Sequence, residues 1–154
     1  MQQKLLDCKS EEQETIEFRN NRKEQTMKLV IGGAFQGKKK AACERYQLSE
    51  SDFIDGITCK QEDIKSCRGI FHFHEYIKRM IRQGENPAGL VDMLYENNPE
   101  IIIVCNELGY GVVPIEKFDR EYREAVGRLC CKAAEYSDEV VWVICGLGTV
   151  IKHA

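Results

Sequence analysis

The 154-residue chain has no apolar run close to the roughly 18 residues that a membrane-spanning helix needs. Its first residues, MQQKLLDCKSEEQETIEFRNNRKEQ, lack the apolar segment of a secretory signal. There is no excess of basic residues either. Lys and Arg number 22 against 25 Asp and Glu, and a net charge of −3 gives no reason to expect nucleic acid as the main partner. Eight cysteines are present but no C-x-x-C pair, which argues against a zinc ribbon or a thioredoxin-like redox motif. With no secretory context, the cysteines read as reduced thiols of a cytoplasmic protein, Cys105 and Cys145 ending apolar runs as small hydrophobes.

An apolar content of 43% supports a core, and the length suits one domain with a leading segment. Residues 1–26 are polar and heavily charged, and read as an N-terminal extension of tail or solvated helix. Residues 27–154 carry the alternation of an α/β domain. KLVI (28–31) reads as a buried strand, and GKKKAACERYQLS as the helix after it. RGIFHFH (68–74) reads as a second strand, followed by a helix with Ile77, Met80 and Ile81 on one face. Another helix runs between Pro87 and Pro99. The unbroken apolar run Ile101–Cys105 fits a strand covered on both faces, a long amphipathic helix follows residue 116, and EVVWVICG reads as the last strand. Strands alternating with helices predict a parallel sheet flanked by helices, with 28–31, 101–105 and 140–145 as neighbouring central strands. Residues 47–67 carry no clear pattern.

VIGGAFQGKKKAA, at residues 30–42, places Gly32-x-x-x-x-Gly37-Lys38 between a strand and a helix. Such a loop turns tightly and points backbone N–H groups inward at a helix N-terminus, the arrangement that cradles phosphates. Gly32, Gly33, Ala34, Gly37, Lys38 and Lys39 are the candidate nucleotide-binding residues, with Lys38 reaching the β- and γ-phosphates. The pattern asks for Ser or Thr after the lysine to hold Mg²⁺ through its hydroxyl. Here that residue is Lys39, which cannot ligate the ion, so no protein metal ligand is assigned. Asn106 and Glu107 lie just past a buried strand, where ligands of α/β sheets bind, or else they begin a surface loop.

The second half resembles the adenosylcobinamide kinase / adenosylcobinamide-phosphate guanylyltransferase family. Asn106, Glu107, Gly109, Gly111 and Pro114 match its strand-end element N-E-[VL]-G-x-G-[IV]-V-P. Arg123, Glu124, Gly127 and Arg128 match its helix element, with Tyr122 in place of phenylalanine. Ser137, Asp138, Glu139 and Val140, then Gly146, Gly148, Ile151 and Lys152, match the last two. Its phosphate loop, G-G-A-R-S-G-K-S, is met by Gly32, Gly33, Ala34, Gly37 and Lys38, but not by Phe35, Gln36 and Lys39. The resemblance implies a P-loop-type α/β fold, a homotrimer, and phosphorylation of adenosylcobinamide by ATP or GTP, followed by GMP transfer through a guanylylated histidine. The alternative is a non-catalytic nucleotide-binding relative that kept the fold for regulation or structure.

The resemblance fails in the middle. The stretch from Cys43 to Gly69, where the family carries its histidine, has none. His72 and His74 are the nearest, and at period 2 they share one face of the expected strand. They either act as phosphoryl acceptors or metal ligands, or are half-exposed strand residues. Glu75 falls where the resemblance puts an acidic strand-end residue, in contact with Mg²⁺ or substrate and on the face opposite the histidines. With Glu107 and the two histidines it completes the candidate catalytic set. His153 is expected to fray with the terminus.

Overall fold

A computed structural model of the chain describes residues 26–109 and 111–154. The extension expected over 1–26 lies outside these residues, apart from Thr26. The described chain forms a six-stranded sheet in the order β2-β3-β4-β1-β5-β6. Its strands are β1 (Lys28–Gly32), β2 (Phe53–Asp55), β3 (Gly69–Phe71), β4 (Ile102–Asn106), β5 (Glu139–Ile144) and β6 (Leu147–His153). The helices are α1 (Lys38–Tyr46), α2 (Phe73–Arg82), α3 (Leu90–Asn97) and α4 (Lys117–Tyr136). β1 pairs in parallel with β4 on one side and β5 on the other, so the three apolar runs are neighbours at the centre, as the sequence suggested.

Alternate residues of the central strands feed two cores. Leu29, Ile70, Ile103, Cys105 and Val140 face α2, α3 and α4, packing against Phe73, Ile77, Val91, Leu94, Val126 and Leu129. Val30, Phe71, Ile102, Val104, Val141 and Val143 pack on the other side with Ala42 of α1. Strands covered on both faces need apolar residues at every position, which is why they read as unbroken runs.

Three departures from the sequence reading matter. First, residues 47–67 contain β2, a three-residue strand parallel to β3, with Phe53 stacked on Phe71 at 4.2 Å between ring centroids. Second, β5 is not the last strand. A two-residue turn at Cys145 and Gly146, both at positive φ, returns the chain as the antiparallel β6. His153 pairs there opposite Glu139, so it is not frayed, and it lies at the end of β5 far from the glycine loop. Third, the strand expected over 68–74 stops at Phe71, and helix α2 begins at Phe73. His72 between them has left-handed backbone (φ 53°, ψ 44°). The period-2 relation of His72 to His74 therefore does not hold, and Phe71 and Phe73 enter opposite cores. Glu75 is consequently in the first turn of α2 rather than at the strand end, a place that His72 takes.

The seven described cysteines are all free, and Cys8 lies outside the described residues. Among the described residues no helix is long and apolar enough to cross a membrane.

Candidate functional site

The carboxyl ends of the parallel strands meet at one edge of the sheet, where β1 passes into the glycine loop. Gly32 has no room for a side chain: a Cβ there would lie 2.4 Å from the carbonyl oxygen of Val143. Gly37 caps α1 with φ 85°, a backbone that glycine adopts at little cost. The Gln36 side-chain oxygen accepts from the Cys145 N–H at 2.7 Å, and its carbonyl accepts from the Gly146 N–H at 2.8 Å. The β5–β6 turn thus braces the loop, which explains why the closing glycine element of the sequence matters to a site far away along the chain.

Lys38 is buried, and its Nζ donates to the Gly33 carbonyl at 2.6 Å across the loop. Burial lowers its pKa. The Lys39 ammonium lies 3.3 Å from Glu50 and over the Phe71 ring at 4.8 Å.

A cavity of about 370 Å³ opens beside the loop. Ala34, Gly37, Lys38 and Lys39 form one wall; His72, His74, Glu75 and Asn106 contribute to the other. Residues far apart in the sequence are thereby brought together at the ends of β1, β3 and β4. Its size suits a small ligand. Glu107 is not part of the lining. Its N–H donates to the Gly32 carbonyl at 3.0 Å and its carboxylate accepts from the Trp142 indole at 3.2 Å, so it spans the end of β1.

The two histidines differ. His74 is buried, and its Nδ1 accepts the Asn106 N–H at 3.2 Å, joining α2 to β4. Burial first, then the positive charge of His72, Lys38 and Lys78, depress its pKa to about 4. It is neutral at pH 7. His72 is half-exposed and its Nδ1 lies 3.0 Å from Oδ1 of Asp55, at the end of β2. Asp55 was missed because β2 was not legible. The only sequence signal was an acid before a glycine in FIDG.

The hydroxyl position holds Lys39, whose ammonium would repel Mg²⁺, and among the described residues no group of three His, Cys, Asp or Glu could hold a metal. Arg123, which the resemblance places in its helix element, donates to the carbonyls of Gly109 and Val112 at 2.8 and 2.9 Å. It anchors the loop after β4 onto α4.

The fold and this edge define an α/β protein with a parallel sheet flanked by helices and a glycine-rich turn at the strands' carboxyl ends. Residues 71–151, just over half of the chain, match the cobinamide kinase / cobinamide phosphate guanyltransferase family, and the chain belongs to it. The bifunctional adenosylcobalamin biosynthesis protein CobU of Salmonella typhimurium is 38% identical over 53 residues, covering 34% of this chain and 29% of that protein. Its Escherichia coli namesake is 36% identical over the same length, with the same coverage. CobP of Pseudomonas aeruginosa is 38% identical over 69 residues, 45% of this chain and 39% of that protein. The matched segments thus span well under half of the relatives' own length.

Proposed function

We propose that this protein binds ATP or GTP on the loop from Gly32 to Lys39 and phosphorylates the aminopropanol hydroxyl of adenosylcobinamide. The observation that carries the reading is the cavity, in which Lys38 and the glycine loop face His72, His74, Glu75 and Asn106. Successive N–H groups at a helix N-terminus suit a polyphosphate, and the opposite wall offers polar groups to an alcohol. Family membership and the relatives' names support cobalamin biosynthesis as the setting. The protein acts on small molecules in the cytoplasm and as a homo-oligomer. Exposed Val112, Val113, Ile115, Leu147 and Ile151 provide apolar surface for a second copy.

The second reading, a nucleotide-binding relative without turnover, is favoured by Lys39 in the place of the Mg²⁺-binding hydroxyl. Calorimetric titration with ATP and GTP, with and without Mg²⁺, tests the binding. Lys39→Ser is expected to make binding more dependent on Mg²⁺ by restoring a hydroxyl ligand. A wild type that binds neither nucleotide would end both readings.

Guanylyl transfer through a covalent histidine is not expected. That chemistry needs an imidazole nitrogen in line with the departing pyrophosphate. The segment Cys43–Gly69 has no histidine, His74 is buried on a backbone N–H, and His153 sits at the other end of β5. Incubation with α-labelled GTP, denaturation and mass spectrometry should find no GMP on the protein. An acid-labile adduct on His72 or His74 would restore the bifunctional chemistry.

A further inference from the structure

We propose that His72 is the general base of phosphoryl transfer at this site, with Asp55 as the residue that positions it. The inference rests on the kinase reading above and assigns its proton acceptor from the candidate catalytic set of His72, His74, Glu75 and Glu107.

Three independent features converge on His72. The first is the pairing. Asp55 Oδ1 also accepts the Ile57 N–H at 2.9 Å, so the carboxylate is fixed before it meets His72 Nδ1 at 3.0 Å. A carboxylate only accepts, so Nδ1 carries the proton and Nε2 keeps its lone pair. Among the described residues Nε2 makes no hydrogen bond. The second feature is place. His72 lines the same cavity as Lys38 and Gly37, whereas Glu107 lines none of it.

The third is backbone strain. A left-handed histidine costs free energy and persists only where its surroundings enforce it, which is common at functional sites. Here the surroundings do so. The Phe71 carbonyl accepts the Gly56 N–H at 2.8 Å, and the His72 carbonyl accepts the N–H groups of Glu75 and Tyr76 at 2.9 and 3.2 Å. Gly56 packs so closely that a Cβ on it would lie 2.3 Å from the His72 carbonyl oxygen. The end of β2 and the start of α2 clamp this one residue between them.

The other titratable and charged groups around the pair are His74 and Glu75 of α2 and Lys38 and Lys39 of α1, all of which, Glu75 included, line the cavity. His74 of α2 has its ring 5.9 Å from that of His72, but its Nδ1 is occupied by the Asn106 N–H. Glu75 lies 3.9 Å from Nε2 of His74. Lys39 of α1 acts on the Asp55 carboxylate and favours its ionised form, and Lys38 is committed to the loop. In the step assigned here the substrate hydroxyl gives its proton to Nε2. Its oxygen forms a bond to the γ-phosphorus while the bond from that phosphorus to the bridging oxygen breaks. ADP or GDP leaves, and the imidazolium, facing Asp55, later returns its proton to water.

The test uses the full chain, with ATP or GTP and adenosylcobinamide. Asparagine tolerates left-handed backbone, so His72→Asn keeps the fold while removing the base. It should lower kcat by about 10²–10⁴-fold, the usual contribution of general base catalysis, with nucleotide affinity by calorimetry unchanged. Asp55→Ala removes the acceptor of the Nδ1 proton. Nitrogen NMR should then find the His72 ring divided between the Nδ1–H and Nε2–H forms, where the wild type holds the Nδ1–H form, with kcat reduced. An active wild type whose His72→Asn variant keeps its kcat, or a wild-type ring in the Nε2–H form, would overturn this inference and leave the kinase reading standing. A wild type that binds nucleotide yet phosphorylates nothing would overturn both.

Discussion

Lys38→Ala will weaken ATP and GTP binding by about 1.5–3 kcal/mol, the range of hydrogen bonds to charged groups, or roughly 10- to 150-fold in affinity. The ammonium is buried against the loop, where its field acts with less screening from water than at an open surface. In the free protein it donates to the Gly33 carbonyl and so holds the loop closed upon itself. A bound phosphate would take over that donor. Burial lowers the lysine's pKa, so binding should weaken at alkaline pH sooner than it would for an exposed lysine. Calorimetry on wild type and variant measures both effects. Equal affinities would show that the loop does not cradle phosphate, whatever its sequence suggests.

The protein will lose stability as pH falls from about 6.5 to about 4, and His74 will account for up to about 3 kcal/mol of the loss. Its folded-state pKa is depressed to about 4, below the value of about 6.5 expected in the unfolded chain. Above that upper value both states are neutral and the residue has no effect. Between the two values the unfolded chain binds the proton and the folded one does not, so unfolding is favoured. Below the lower value the penalty is complete. Most of the charged groups around the ring agree with this sign, and Glu75 works against it. His72, Lys38 and Lys78 oppose a further positive charge, and Glu75, 3.9 Å from Nε2, is the nearest counter-charge. Protonation of Nδ1 would also break the bond from the Asn106 N–H. His74→Asn keeps an acceptor oxygen near the place of Nδ1 and cannot titrate. Urea unfolding at pH 7, 5.5 and 4 should give a flatter curve for the variant than for the wild type. Parallel curves would mean that His74 is already solvated or charged.

The sequence alone determined the centre of this protein. β1, β4 and β5 are covered on both faces, so each had to be apolar at every position and was legible as a run. The glycine loop, α4 and the motifs that assign the family are continuous segments, and local pattern is enough to see them. Lys38, His72, His74, Glu75 and Asn106 were also picked out as candidate site residues. What only the tertiary structure decided lies at the margins and at one break. β2 is three residues long, and Phe53 belongs in it because Phe71 lies beneath its ring and β3 offers a free edge. β6 is exposed along its whole length, so no burial pattern marked it, and its existence depends on pairing with β5. The change from strand to helix at His72 depends on a left-handed backbone that its neighbours enforce and that no periodicity announces. Asp55 and His72 are 17 residues apart and meet only because β2 and β3 run side by side and end together, which is a property of backbone pairing and not of either segment.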